Sequence, residues 1–379
     1  MHFELTSDQS QLQDAARRLS QGKLQPLLAA HPATKPLPKA AMLEIFGILA
    51  QFGLTGARVP QEFGGSGLGM LDYGLVFEQL PGVVALALIA HEGTISRLCA
   101  SGVAQAEPQL IEALLLGTKI ACTASTEPTT GSDPKSIKLR IRHAGGDAFL
   151  TGTKQWITNG TIADVALVTG KTEAGGELQR FLVKREESPF HASEIACIGL
   201  QQGHLSELSF EDVRVPGRNS LPEGASTMKT LTQAWLINRP LLGLLALQLA
   251  QRSRDIALAH LKDRVQFGET LVNKQLIQNA LVDIDASIAA ARLLCLSALD
   301  AADRGLATQA LSAMAKRQAL TTADHAAGIA MRLCGAMGLA TETGVEQNLR
   351  DIRMITIPDG THEILTLIAG REITGASAL

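Results

Sequence analysis

Aromatic side chains are scarce: one Tyr, two Trp and ten Phe among 379 residues, 3% of the chain. Ala and Leu dominate instead, which favours helices. Cysteine is sparse too, with five in all. Cys99, Cys122, Cys197, Cys295 and Cys334 lie far apart, and no two have metal-ligand or redox spacing. An odd, scattered set predicts reduced and mostly buried thiols in a cytoplasmic protein. No large excess of charge exists: the formal net charge is -3, which predicts neither nucleic-acid nor anionic-membrane binding. Long apolar runs are missing. The most apolar stretch, Pro240 to Ala250, is too short to span a bilayer. The N-terminus carries charge and does not read as a signal peptide. The nine His include no ligand-spaced pair, so no metal site is expected. No internal repeat or low-complexity tract is present.

What is present is an ordinary globular composition, 46% hydrophobic and 19% charged, on a chain long enough for two or three domains or one large composite fold. The periodicity changes twice. Residues 1–118 read as helices, with Leu12, Ala15, Ala16 and Leu19 on one face, a Pro-containing break from His31 to Pro38, and further helices at about 40–52, 70–80, 85–101 and 109–117. Residues 119–216 hold short alternating runs, Ile137–Ile141, Val165–Val168, Phe181–Val183 and Glu207–Val215, separated by Gly-Gly turns. Arg214 to Gly224 reads as a linker. Residues 225–379 return to helical spacing, with long helices predicted at about 225–265, 273–304 and 307–338, and a short one at 362–370. The fold class is therefore α+β: an N-terminal helical domain, a middle β-domain and a C-terminal antiparallel helix bundle.

One stretch, residues 121–160, carries most of the chemical signal. Ala-Cys-Thr-Ala-Ser-Thr-Glu-Pro-Thr-Thr-Gly-Ser-Asp runs from Ala121 to Asp133, and Gly-Thr-Lys-Gln-Trp-Ile-Thr-Asn-Gly from Gly152 to Gly160. Ser125, Thr126, Ser132 and Thr158 offer hydroxyls, Gly131 permits close backbone approach, and Trp156 offers a flat face. That set suits a planar heterocycle with a polar rim. Either piece alone reads equally as a turn-rich edge of a β-domain.

Together and in order, the two pieces resemble the flavin-binding signature of the acyl-CoA dehydrogenase family, and the resemblance extends over essentially the whole chain. Val59-Pro-Gln-Glu-Phe-Gly-Gly65 is similar to the family's early "VPEEYGG" loop. Leu205 to Pro216 is similar to the last strand of its middle domain. Arg264-Val-Gln-Phe-Gly268 followed by Gln275 resembles its "RxxFG…Q" element. Asn348–Arg353, Pro358–Thr361 and Ile368–Glu372 resemble its C-terminal segment.

The resemblance implies an FAD-dependent dehydrogenase that places a double bond between Cα and Cβ of an acyl thioester. Ser125 and Thr126 would bond the pyrimidine edge of the isoalloxazine, Trp156 would lie against the ring, Thr158 would sit near N5, and Gly131 and Ser132 would line the loop between flavin and acyl chain. Arg264, Phe267 and Gln275 would hold the adenosine diphosphate end across a subunit boundary, which implies a homo-oligomer, tetramer or dimer. Taken alone, Arg264 reads as a solvated helix charge. Thr361 and Glu363 would also touch the cofactor. Asp359 stands where most members carry a Glu base, and Gly360 and Arg239 lie by the substrate. The alternative for Asp359 is a plain Asp-Gly turn. Such a base belongs in an apolar, water-excluded site. The other position used for a base in the family, before Arg239-Pro240, is Asn238, which cannot serve.

Two departures bear on the substrate. Leu236 replaces an Asp common in the family, and Arg332-Leu-Cys-Gly335-Ala336 departs from "QxxGG". They leave open whether the acyl carrier is CoA or an acyl carrier protein. The electron acceptor would be an electron-transfer flavoprotein or another acceptor. Two other readings stand beside this one. The first is a flavin-dependent oxidase of a more acidic carbon, nitroalkane-oxidase-like, ranked lower because no Arg is clearly placed to hold a nitro group. The second is a structural homologue without activity.

Overall fold

The computed structural model describes residues 4–221 and 226–377, and no side chain between 222 and 231. The first helix, α1 (Ser7–Leu19), opens on a capping box in which Thr6 Oγ1 accepts the Gln9 N–H and Gln9 Oε1 accepts the Thr6 N–H. A π turn over Ser20–Leu24 leads into α2 (Gln25–Ala29). After the Pro-containing break come α3 (Lys39–Gln51), α4 (Met70–Phe77), α5 (Gly82–Ala100), α6 (Val103–Ala106) and α7 (Pro108–Leu115). Helix α5 is long and apolar enough to cross a membrane, a length the sequence reading missed by starting it at Ala85. Most of it is buried among other elements, as a core helix is.

The middle of the chain forms one sheet in the order β1 (Ala121–Ala124), β4 (Val165–Thr172), β2 (Arg140–Ala144), β3 (Asp147–Thr158), β7 (Leu205–Val215), β6 (His191–Glu194), with β5 (Leu178–Lys184) also paired to β4. β4 runs parallel to β1 and β2, and the other pairings are antiparallel. Ile137 and Leu139, expected in a strand, instead precede β2. Their backbone is held by the Glu127 carboxylate, which accepts the Lys138 and Leu139 N–H groups at 2.7 and 2.8 Å. Arg214 and Val215, read as the start of a linker, still belong to β7. The linker goes on as a short 3-10 turn over Gly217–Asn219, and its last part, from Pro222 to Gly224, lies outside the described residues.

The last part is built on α8 (Ser226–Asp263), α9 (Gln275–Asp303) and α10 (Gln309–Leu333), joined by a small hairpin of β8 (Val265–Gln266) and β9 (Glu269–Thr270), and completed by α11 (Val345–Ile355) and α12 (His362–Thr374). α11 was not expected as a helix, although it buries Val345, Ile352 and Ile355 on one face. One hydrophobic core runs through the first and last helical segments together, from Phe46, Phe77 and Leu88 to Leu245, Leu299 and Ile355. One face of the sheet encloses Leu150, Val168, Phe181 and Phe210. The other packs Ala121, Val165, Leu167 and Leu182 against Ile95 and Leu98 of α5 and Leu114 of α7. α5 is thus the element against which both the sheet and the bundle are set. All five cysteines are free thiols, and only Cys197 is partly exposed.

Candidate functional site

The turn between α11 and α12 carries Asp359. Its backbone is left-handed, with φ of 56° at Asp359 and 115° at Gly360. Asp tolerates that region better than most residues, and Gly360 meets no steric penalty there. Three carbonyls of the turn are gathered by two buried cations. Lys316 Nζ donates to Pro358 O, and to Gly360 O at 2.8 Å, and Arg239 Nε donates to Asp359 O at 2.9 Å. The next helix starts at once, with Thr361 as its N-cap accepting the Ile364 N–H.

One face of α10 holds these cations in place. Gln309, Ser312 and Lys316 recur at helical spacing. Gln309 Oε1 accepts from Arg239 Nη1 at 2.7 Å. Pro240 has no N–H to give the Leu236 carbonyl, and the Ser312 hydroxyl donates to that carbonyl instead, at 2.9 Å. Burial pushes the Lys316 amine down to about 7, helped by the like charge of Arg239 and opposed by Asp359.

The surroundings of Asp359 differ from the apolar site expected. Its charge acts on Arg58, Arg97, Arg239 and Lys316, four cations supplied by the loop after α3, by α5, by α8 and by α10. Arg58 is paired with Glu92, itself fully buried, through both its N–H and its Nε, and its Nη1 donates to Asn238 Oδ1 at 3.0 Å. Arg97 Nη2 donates to Thr123 Oγ1 at 2.6 Å, and burial lowers its guanidinium to about 10. Arg239 was expected by the substrate; Arg58 and Arg97, which the sequence did not single out, join it within reach of the Asp359 charge. Arg58 follows the Gly53–Gly56 turn and Arg97 sits in an apolar helix. Two charged residues in apolar settings were the available signal.

Thr123 links this centre to the 121–160 stretch, because it lies in β1 two residues before Ser125. Ser125 Oγ shares a hydrogen with Thr169 Oγ1 at 3.2 Å, and its carbonyl accepts from Lys154 Nζ at 2.8 Å. Lys154 and Glu127 form a fully buried pair at 2.8 Å, and burial lowers the Lys154 amine to about 8 against the opposing pull of Glu127. This pair clamps the end of β1 to β3. A register shift in β3 between Lys154 and Ile157 then throws Trp156 outward with φ of 63° and half its surface exposed. A bulky residue there costs roughly 1–2 kcal/mol, and such strain collects at functional sites. Thr158 lines a cleft of about 250 Å³ with Val83, Leu86, Leu200, His204 and Met354.

These features fit a flavin. The hydroxyls of Thr126, Ser132 and Thr158 have no partner within the described chain, Gly131 lies beside Thr126, so that a methyl group there would just touch the Thr126 Cγ2 at 3.8 Å, and the strained Trp156 presents its ring. Arg264, Phe267 and Gln275 are not brought to this centre. They lie in the exposed hairpin and first turn beyond α8, roughly 37 Å along the helix from Arg239 at 1.5 Å per residue. Phe267 is 93% exposed. Glu363 is exposed in the first turn of α12, where Thr361 and a backbone N–H lower its carboxyl.

Three family models match the chain: acyl-CoA dehydrogenase N-terminal domain over residues 6–112, middle domain over 122–213, and C-terminal domain over 227–374. The benzylmalonyl-CoA dehydrogenase of Aromatoleum aromaticum is 31% identical, over 99% of this chain and 100% of its own. The solved butyryl-CoA dehydrogenase of Megasphaera elsdenii superposes with a TM-score of 0.91 at 27% identity, covering 98% of this chain and 100% of its own. A glutaryl-CoA dehydrogenase of Mycobacterium smegmatis, solved in complex with FADH2, gives a TM-score of 0.89 at 25% identity, covering 99% of this chain and 96% of its own.

Proposed function

The chain belongs to the acyl-CoA dehydrogenase family of FAD-dependent oxidoreductases acting on CH–CH groups, and from that premise we propose that Asp359 is the base that removes the α-proton of an acyl thioester. The observation that carries this reading is Arg97. It bonds Thr123 at the root of the flavin signature and feels the Asp359 charge, which supports a centre shared by base and signature.

The chemistry FAD supplies when bound is acceptance of the substrate's β-hydrogen as hydride. Ser125, Thr126, Gly131, Ser132, Trp156 and Thr158 would hold its isoalloxazine, with Thr361 and Glu363 nearby. The chain's own work is positional. Lys316 and Arg239 fix the turn so that the Asp359 carboxylate is presented from a strained backbone. The Asp side chain is one methylene shorter than Glu, about 1.3–1.5 Å of reach, and the held turn compensates by setting where the carboxylate starts. The buried cations stabilise the negative charge that develops as the α-proton leaves. Ser132, Gly360 and Arg239 border the substrate in this reading.

Arg264, Phe267 and Gln275 would hold the adenosine diphosphate end of a cofactor seated on a second copy of the chain, since they lie so far along α8. Exposed Phe267, Leu276 and Val282 on the same region support a homo-oligomer. CoA is the proposed carrier, with an acyl carrier protein as the alternative motivated by Leu236. An electron-transfer flavoprotein is the proposed acceptor. The oxidase reading gains an observation, because the charge of Asp359 acts on Arg58 and Arg97. Hydrogen peroxide formed in step with substrate consumed would favour it. Asp359→Asn tests the base: the protein should stay yellow and lose substrate-dependent bleaching.

A further inference from the structure

Arg180, in β5, is only 3% exposed, and its Nε and Nη1 have no acceptor. No carboxylate among the described residues acts on it, and burial lowers its guanidinium unopposed. A buried guanidinium without a counter-charge is costly.

The sheet register says where this charge stands. Ala121 and Thr123 of β1 pair with Val165 and Leu167 of β4, and Leu167 and Thr169 of β4 pair with Leu182 and Arg180 of β5. Paired residues point to one side of a sheet, and so do residues two apart on a strand. Val165, Leu167 and Leu182 pack toward α5, so Thr169 and Arg180 face α5 as well. Ser125 completes the row, because its hydroxyl shares a hydrogen with that of Thr169. Ser125, Thr169 and Arg180 therefore stand side by side across three strands. Arg97 reaches the same face from α5 through Thr123, and the charge of Arg180 opposes its own. Asp359 acts on Arg97 and not on Arg180. The row that ends in Ser125 thus carries an unbalanced positive charge.

We propose that Arg180 supplies a fixed positive charge to the pyrimidine side of the flavin and that the anion it awaits is the reduced ring. The inference rests on the reading above in which Ser125 bonds the pyrimidine edge. The oxidised isoalloxazine is uncharged. A hydride adds two electrons and one proton, which leaves one negative charge on the ring. Ser125 and Arg180 are two strand spacings apart, roughly 10 Å at about 4.8 Å each. Arg180 therefore acts through space and makes no direct contact with the ring. One unit charge at that range in a protein interior favours the reduced ring by about tenfold.

The test uses the FAD-loaded full-length protein and no thioester, so it stands apart from the assignment of Asp359. Anaerobic reduction by dithionite beside a reference dye gives the midpoint potential of the bound flavin. Absorbance of the reduced flavin across a pH series gives the pH at which it takes up its second proton. Arg180→Met should lower the potential by about 30 mV, a tenfold change in a two-electron equilibrium. It should also lower that pH by about one unit less than the wild type does relative to free FAD, the same tenfold change. Arg180→Lys should return both values toward those of the wild type. If Arg180→Met does not fold, Arg180→Gln carries the same expectations. A loaded, uncharged variant with the wild-type potential overturns the proposal. So does an Arg180→Lys protein that falls as far as Arg180→Met, which would mark lost packing rather than lost charge. A wild-type flavin with the potential of free FAD overturns it without any variant. A wild-type protein that takes up no FAD overturns this proposal and the flavin reading together.

Discussion

Arg239 donates its Nε–H to the backbone carbonyl of Asp359, 2.9 Å away and 120 residues further along the chain. The contact joins the proline-interrupted part of α8 to the turn that presents the base. Lys316 closes the same turn from the other side through Pro358 and Gly360. A carboxylate on a left-handed residue is useful only if the backbone cannot relax, and these two buried cations prevent that.

Replacing the carboxylate should separate chemistry from binding. Asp359→Asn should retain FAD and lower the rate of flavin bleaching by roughly 10²–10⁴-fold, the usual contribution of a positioned general base. Asp359→Glu should also slow turnover, since about 1 Å of misplacement can cost on the order of a hundredfold. Stopped-flow absorbance measures both, and wild-type rates in Asp359→Asn would dismiss the assignment.

Lys316 gives a prediction in pH. Its amine titrates at about 7 in the folded chain and at 10.5 in an ordinary setting. Between those values unfolding takes up a proton, so this group makes stability rise with pH; below 7 both states hold the proton and the cost of the buried charge is fully present. The stability difference, wild type minus Lys316→Met, should therefore rise by up to about 1.4 kcal/mol per pH unit above pH 7. Urea titrations at pH 6, 7, 8 and 9 read it, in roughly one-unit steps chosen to span that window. A difference flat in pH would show that Lys316 keeps its proton.

The pair formed by Lys154 and Glu127 should matter to both stability and cofactor. Breaking a buried pair from one side costs about 3–5 kcal/mol. Glu127→Gln and Lys154→Met should each destabilise by that order, and Lys154→Met should also release FAD more readily, because it frees the Ser125 carbonyl. Chemical denaturation gives the first quantity and ultrafiltration the second. Tight FAD in a destabilised Lys154→Met protein would detach the clamp from the cofactor.

Arg264→Ala and Phe267→Ala should lower FAD content without altering the fold of a protomer, because both side chains are exposed and far from the flavin signature of their own chain. Sedimentation should find the wild-type protein larger than 40.1 kDa. A monomer that keeps FAD through these substitutions would refute the shared cofactor site.

Much of this was readable in the sequence where the chemistry is contiguous. The hydroxyls and the Trp of residues 121–160 lie on one strand–loop–strand segment, and Asp359-Gly360 announces a turn. The period changes marked where the sheet begins and the long helices resume. What escaped is what the fold assembles from distant segments. Arg58 and Arg97 meet only because the loop after α3 folds back on α5. The role of Lys316 depends on a turn 42 residues away. Ile137 and Leu139 alternate like a strand, but the Glu127 carboxylate takes up the Lys138 and Leu139 N–H groups. The outward indole of Trp156 needs a register shift that no local pattern reveals.

The most direct measurement is the visible spectrum of the purified protein during anaerobic titration with acyl-CoA thioesters. The account predicts a bound-flavin band that bleaches with a thioester and fails to bleach in Asp359→Asn. A colourless protein that cannot be reconstituted with FAD, or a flavin band that no thioester bleaches, would contradict it.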